Sequence, residues 1–140
     1  DRFGSVAVQT VALVAFGAMI AGWFLVAAGV MPCGHVTPTV LNILGGASGS
    51  LLGVANARLL YAAVPQLGRN HFFALFTVIS SLGMGSTPVA WGILLDYIGS
   101  FEAVTGALHW KRHSIYFAAL FALNLVAIAM GTRLRERPEQ

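Results

Sequence analysis

Four long apolar runs, separated by short polar segments, set the pattern of this chain. The clearest runs from Phe72 to Leu95, FFALFTVISSLGMGSTPVAWGILL, with no charged residue. As a helix rising 1.5 Å per residue it reaches about 36 Å, enough to cross a hydrocarbon core of about 30 Å. Arg69 precedes it and Asp96 ends it, so its ends are wet and its middle is not. The same reading places four spans at about 6–30, 39–64, 72–95 and 114–132.

Polar and small positions inside the spans are not scattered. In the third span Thr77, Ser81, Gly85, Pro88 and Gly92 fall within about a quarter of the helix circumference at roughly 100° per residue. Pro88 lacks a backbone donor and crowds the preceding turn, which predicts a bend between Met84 and Pro88. A carbonyl freed in lipid needs another partner, so this face is expected against protein or a wet cavity. In the second span Gly45, Gly49 and Gly53 form a ridge at spacing four, with Asn42 and Asn56 on the same face. A glycine run that cradles phosphate needs a preceding strand and usually a following Lys, and neither stands here. The ridge is therefore read as a close helix contact. Asn42 and Asn56 either bond a neighbouring helix or face a substrate cavity, because an amide in hydrocarbon is costly unless hydrogen-bonded. The first span carries the small pairs Gly17/Ala21 and Ala18/Gly22, and only Gln9 and Thr10 are strongly polar. The last has Asn124 alone.

The connections hold little chemistry. Cys33 and His35 share the first, and His109 and His113 stand four apart in the third, a spacing that suits a metal only on a helix and with further ligands. No metal, cofactor, disulfide or nucleophile–base pair is expected. Residues 99–113 read as a polar loop edged by an aromatic belt of Tyr97, Phe101, Trp110 and Tyr116.

Composition strengthens the membrane reading. Of the 140 residues 57% are hydrophobic and 9% charged, against about 25% charge in soluble domains. The net charge of +3 would fit nucleic acid, but the distribution of the basic residues gives another reason for it. With four spans, Arg2, Arg58, Arg69, Arg133, Arg135 and Arg137 share one side, leaving Lys111 and Arg112 on the other. That asymmetry predicts cytoplasmic ends in a bacterial inner (plasma) membrane, and no nucleic-acid partner. The chain opens on Asp1 in loop-like sequence and is read as a fragment or trimmed chain.

Several of these residues resemble a known family, the major facilitator superfamily of transporters. Asp1-Arg2-Phe3-Gly4 resembles the core of its cytoplasmic loop motif G-x-x-x-D-R-x-G-R/K-R/K, although Ser5 and Val6 stand where basic residues belong. Gly83, Pro88 and Gly92 fit three positions of its G-x-x-x-G-P-x-x-G-G helix motif, with Thr87 and Trp91 in place of two glycines. The basic loop from Pro65 to Arg69 leading into Phe72-Phe73-Ala74-Leu75-Phe76 looks like the loop between the tenth and eleventh helices.

The resemblance covers nearly the whole chain. It implies an all-α integral membrane protein whose four transmembrane helices are the ninth to twelfth of a twelve-helix bundle. Because the two halves are pseudo-repeats, helices three to six are the alternative register. It implies alternating access by two rocking bundles, with the second and third spans lining the cavity and the first and fourth facing lipid. Asp1, Arg2 and Gly4 would serve a cytoplasmic gate, with Asp1 facing a helix N-terminus of the other bundle. The partners implied are the lipid bilayer, the N-terminal helices and a small-molecule substrate.

The function expected is secondary transport of a small solute. Asn42, Asn56, Thr77 and Ser81 are the candidate cavity groups, and Gly85 and Pro88 the candidate hinge. No span carries an ionisable group at mid-depth, so a coupling carboxylate is not found here. The alternative of another class is a non-transporting membrane scaffold or assembly protein of the same fold. A stand-alone four-helix exporter would want an intramembrane acid, and an enzyme is disfavoured.

Overall fold

The computed structural model describes residues 5–64 and 69–131. Four helices dominate them: α1 Ser5–Ala27, α2 Val36–Ala63, α3 Arg69–Ile98 and α4 Arg112–Gly131. All four are long and apolar enough to cross a membrane. Each lies within three residues of an expected span boundary, because an uncharged run of this length permits little besides a helix in lipid.

The segment that the sequence presents as a loop is a β-hairpin. Strands β1 Glu102–Thr105 and β2 Leu108–Lys111 pair antiparallel, with Glu102 opposite Lys111 and Thr105 opposite Leu108. Gly106 opens the two-residue turn at φ +63°, while Ala107 keeps an ordinary negative φ. That combination, glycine first, is the one whose twist suits a tight hairpin.

The helices pack through α1, whose Ala12, Leu13 and Ile20 are all buried. It runs antiparallel to α2, where Gly22 meets Leu41, Gly45 meets Met19 and Gln9 meets Asn56. It runs antiparallel to α4, where Gly17 meets Asn124 and Phe121, Gly131 meets Leu13, and Trp23 stacks on Phe117 with centroids 6.1 Å apart. The two glycine positions of α1 thus receive different neighbours, as small residues in lipid do where helices approach closely. A third stripe of α1, Ala7, Val11, Val14 and Ala18, stays exposed. The first span is expected to face lipid, and this stripe is the part of α1 left free to do so. Elsewhere α1 is the helix enclosed on two sides.

α3 contributes no buried residue. It meets α4 where Trp91 sits edge-on to Tyr116 at 4.8 Å, and α2 where Phe73 meets Tyr61 at 4.7 Å. The glycine ridge of α2 is also split. Gly45 touches Met19, but Gly49 and Gly53, like Gly46 beside the ridge, have no neighbouring atom within 4 Å of a Cβ position. Ridge spacing fixes which residues share a face, and the α1 contact uses the face of Leu41, Gly45, Ser48 and Ala55 instead.

A glycine cap shows how one end of the bundle closes. Gly29 follows α1 at φ +76°, with Val30 N–H donating to Leu25 O at 3.0 Å and Gly29 N–H to Val26 O at 3.1 Å. This left-handed cap satisfies the last carbonyls of the helix. The hairpin then docks on it, since His109 N–H donates to Ala28 O at 3.0 Å.

Candidate functional site

Hydroxyls within a span have a local solution: they bond back to their own helix. Thr10 donates to Val6 O at 2.9 Å, Thr39 to His35 O at 2.8 Å, Ser48 to Leu44 O at 2.8 Å and Ser50 to Gly46 O at 2.9 Å. On α3, Thr87 donates to Gly83 O at 2.6 Å and Ser86 to the same oxygen at 3.2 Å. Thr77, Ser80 and Ser81 differ: none of these side chains has a hydrogen bond among the described residues, and Thr77 and Ser81 are exposed on the uncovered helix while Ser80 is half-buried. Asn42 is likewise exposed and without a side-chain partner there.

Asn56 goes another way. Its Oδ1 accepts from Gln9 Nε2 at 3.2 Å, across the α1–α2 contact. Of the two roles open to this amide, the geometry supplies the helix-to-helix bond. Gln9 Oε1 is buried without a partner. The candidates are not drawn into one cluster: Asn42 lies on α2 and Thr77 and Ser81 on α3, with no hydrogen bond between them.

The hinge candidates sit on an unbroken helix. α3 runs continuously through Pro88, which is exposed, and Gly85 faces open space. Pro88 has no N–H for Met84 O, and Thr87 and Ser86 turn their hydroxyls onto Gly83 O beside that gap. Asp1, Arg2 and Gly4 lie outside the described residues.

One buried amide carries a packing role that its sequence position does not announce. Asn124 is 7% exposed, and its Oδ1 has no partner. It lies against Gly17, where a Cβ would stand 2.5 Å from that oxygen. In the sequence Arg69 is a loop charge that marks membrane orientation. In the structure it also ties two helices together. Its Nη2 donates to Tyr61 O at 3.3 Å and to Val64 O at 3.2 Å, and the guanidinium stands 5.9 Å from the Tyr61 ring centre. A cation on the last carbonyls of a helix meets the negative end of its dipole.

The histidine pair offers no metal site. His109 is in β2 and His113 in α4, so they share no helix face, and no group of three or more metal-binding side chains occurs among the described residues. Of the aromatic belt, Tyr97 is 90% exposed and Phe101 exposed, while Trp110 leans on Phe24 at 5.8 Å and Tyr116 is held between Trp91 and Phe117.

The chain matches no protein-family model, no curated protein and no solved structure.

Proposed function

We propose that this chain forms part of a secondary transporter of a small solute, of the major facilitator kind, working by alternating access. One observation carries the reading. Most span hydroxyls are tied back to the backbone, yet Asn42, Thr77, Ser80 and Ser81 have no side-chain bond among the described residues, and Asn42, Thr77 and Ser81 stand on uncovered faces of α2 and α3. Hydrocarbon disfavours such groups, whereas a polar solute in a mostly apolar cleft needs a few of them. The small residues beside them, Gly46, Gly49, Gly83 and Gly85, leave room for further helices of the same protein. On this reading both ends of the chain face the cytoplasm of a bacterial cell.

A scaffold of the same fold is the second reading. It is favoured by the absence of any ionisable side chain at mid-depth in the four spans, with Asp96 at the end of α3. Uptake into proteoliposomes of the full-length protein separates the two. Transport with an altered KM in Asn42→Ala and Ser81→Ala supports the first. Absence of flux for any solute class, with folding intact, supports the scaffold.

A further inference from the structure

The hairpin, the link that follows α3 and the start of α4 form a shallow concavity of about 400 Å³, lined among others by Ser100, Phe101, Glu102, Lys111, Arg112 and His113. We propose that this concavity binds a phosphate group, and that in the membrane the group is the headgroup phosphate of an anionic phospholipid. The inference rests on the membrane reading but not on transport.

Position comes first. α4 has 20 residues and begins at Arg112. At 1.5 Å per residue it spans about 30 Å, the thickness of the hydrocarbon core, so Arg112 stands at the boundary where headgroups lie. Exposed Tyr97 and Phe101 beside it have the character of interfacial anchors.

Charge comes second. The side chains of Arg112 and His113 have no hydrogen-bonding or ion-pair partner among the described residues. Lys111 Nζ lies 3.6 Å from Glu102 Oε1, with both side chains more than half exposed (54% and 71%). Such an open pair holds weakly and leaves the ammonium available to a second anion. The antiparallel register sets this up, because Glu102 and Lys111 are opposite residues and Arg112 follows at once. An arginine fork can take two oxygens of one phosphate while the lysine supplies a point charge. Ser114 stiffens the ledge: its hydroxyl accepts from Lys111 N–H at 2.7 Å and lies 2.8 Å from Lys111 O.

The test uses the full chain, reconstituted in vesicles of phosphatidylcholine and phosphatidylglycerol in equal parts, then extracted into neutral detergent. Co-purifying lipid is counted by native mass spectrometry. Wild type is expected to retain phosphatidylglycerol over phosphatidylcholine. Lys111→Gln with Arg112→Gln should lose about fivefold of that preference per charge, the scale of a basic side chain's attraction to an anionic surface. Arg112→Lys should keep most of it, and Glu102→Gln should raise it. These two mild exposed substitutions keep the test valid should the double variant misfold.

Inorganic phosphate that protects wild type, but not the double variant, against heat in the absence of lipid preference supports the phosphate site and assigns its source to solution. Equal lipid retention by wild type and the double variant, with no effect of phosphate, overturns the proposal. Lipid retention is read without any solute, so a failed transport assay leaves this result standing. A chain that stays folded and monomeric in buffer without detergent removes the membrane premise and overturns the lipid assignment.

Discussion

Asn124 of α4 presses its side-chain oxygen against Gly17 of α1, at the place where any other residue would put a Cβ. Both positions fall near the middle of their helices, so this contact fixes the separation of α1 and α4 at depth. Gly17→Ala is expected to destabilise the bundle by about 1–3 kcal/mol through overpacking. The same change in an Asn124→Ala background should cost distinctly less, since the obstructing oxygen is gone. Unfolding of the four variants in detergent forms a cycle, and additive effects would show that the two residues do not meet.

The Gln9–Asn56 bond crosses from α1 to α2. Interhelical bonds of this sort in membranes average about 0.6 kcal/mol. Gln9→Ala and Asn56→Ala should therefore each lower stability slightly and couple to one another, while leaving the KM for solute unchanged. An Asn56→Ala protein with altered KM and unaltered stability would return this amide to the substrate site.

Much of this architecture is legible in the chain, and the reasons differ by element. The spans show because Phe72–Leu95 and its counterparts lack charge over a bilayer's width, a signal that needs no tertiary context. The hairpin does not show, because Glu102–Thr105 and Leu108–Lys111 are four residues each and mix charge with apolar groups. Its one local cue is Gly106-Ala107 between Thr105 and Leu108, a glycine-first turn. The seam of Thr77 and Ser81 can be read from spacing, as can the Asn42/Asn56 face. That Asn56 bonds Gln9 while Asn42 bonds nothing described cannot, since periodicity names a face and not its neighbour. The same limit hides the Arg69 contact, which exists only once α2 and α3 meet at a corner.

Pro88 leaves Met84 O without its usual helical donor, on a helix that packs against little else. Pro88→Ala supplies that N–H, and in an exposed helix interior the exchange is worth up to about 3 kcal/mol in helix preference. The variant is expected to be at least as stable as wild type. If α3 bends during the transport cycle, turnover should fall while substrate affinity holds. Unchanged turnover in a stabilised variant would remove Pro88 from gating.

Arg69 joins the end of α2 to the start of α3 through two carbonyls and one ring. α3 has no buried residue, so this corner and the Trp91–Tyr116 contact hold it to the bundle. Arg69 is only half-buried, and its Nε is enclosed without a partner, which offsets part of the gain. Arg69→Ala is therefore expected to cost about 1–2 kcal/mol, the range of a charged side chain at a helix C-terminus together with its hydrogen bonds. Arg69→Lys should recover part of the loss: it keeps the charge at the dipole but loses the planar guanidinium beside the Tyr61 ring, whose Nη2 alone serves both Tyr61 O and Val64 O. Phe73→Ala should weaken the same corner and couple to Arg69→Ala, because Tyr61 carries both contacts. Hydrogen exchange localises the effect, with faster exchange expected in the last turn of α2 and the first turn of α3 and none in α1. Equal stability of wild type and Arg69→Ala would show that this contact does not hold the corner.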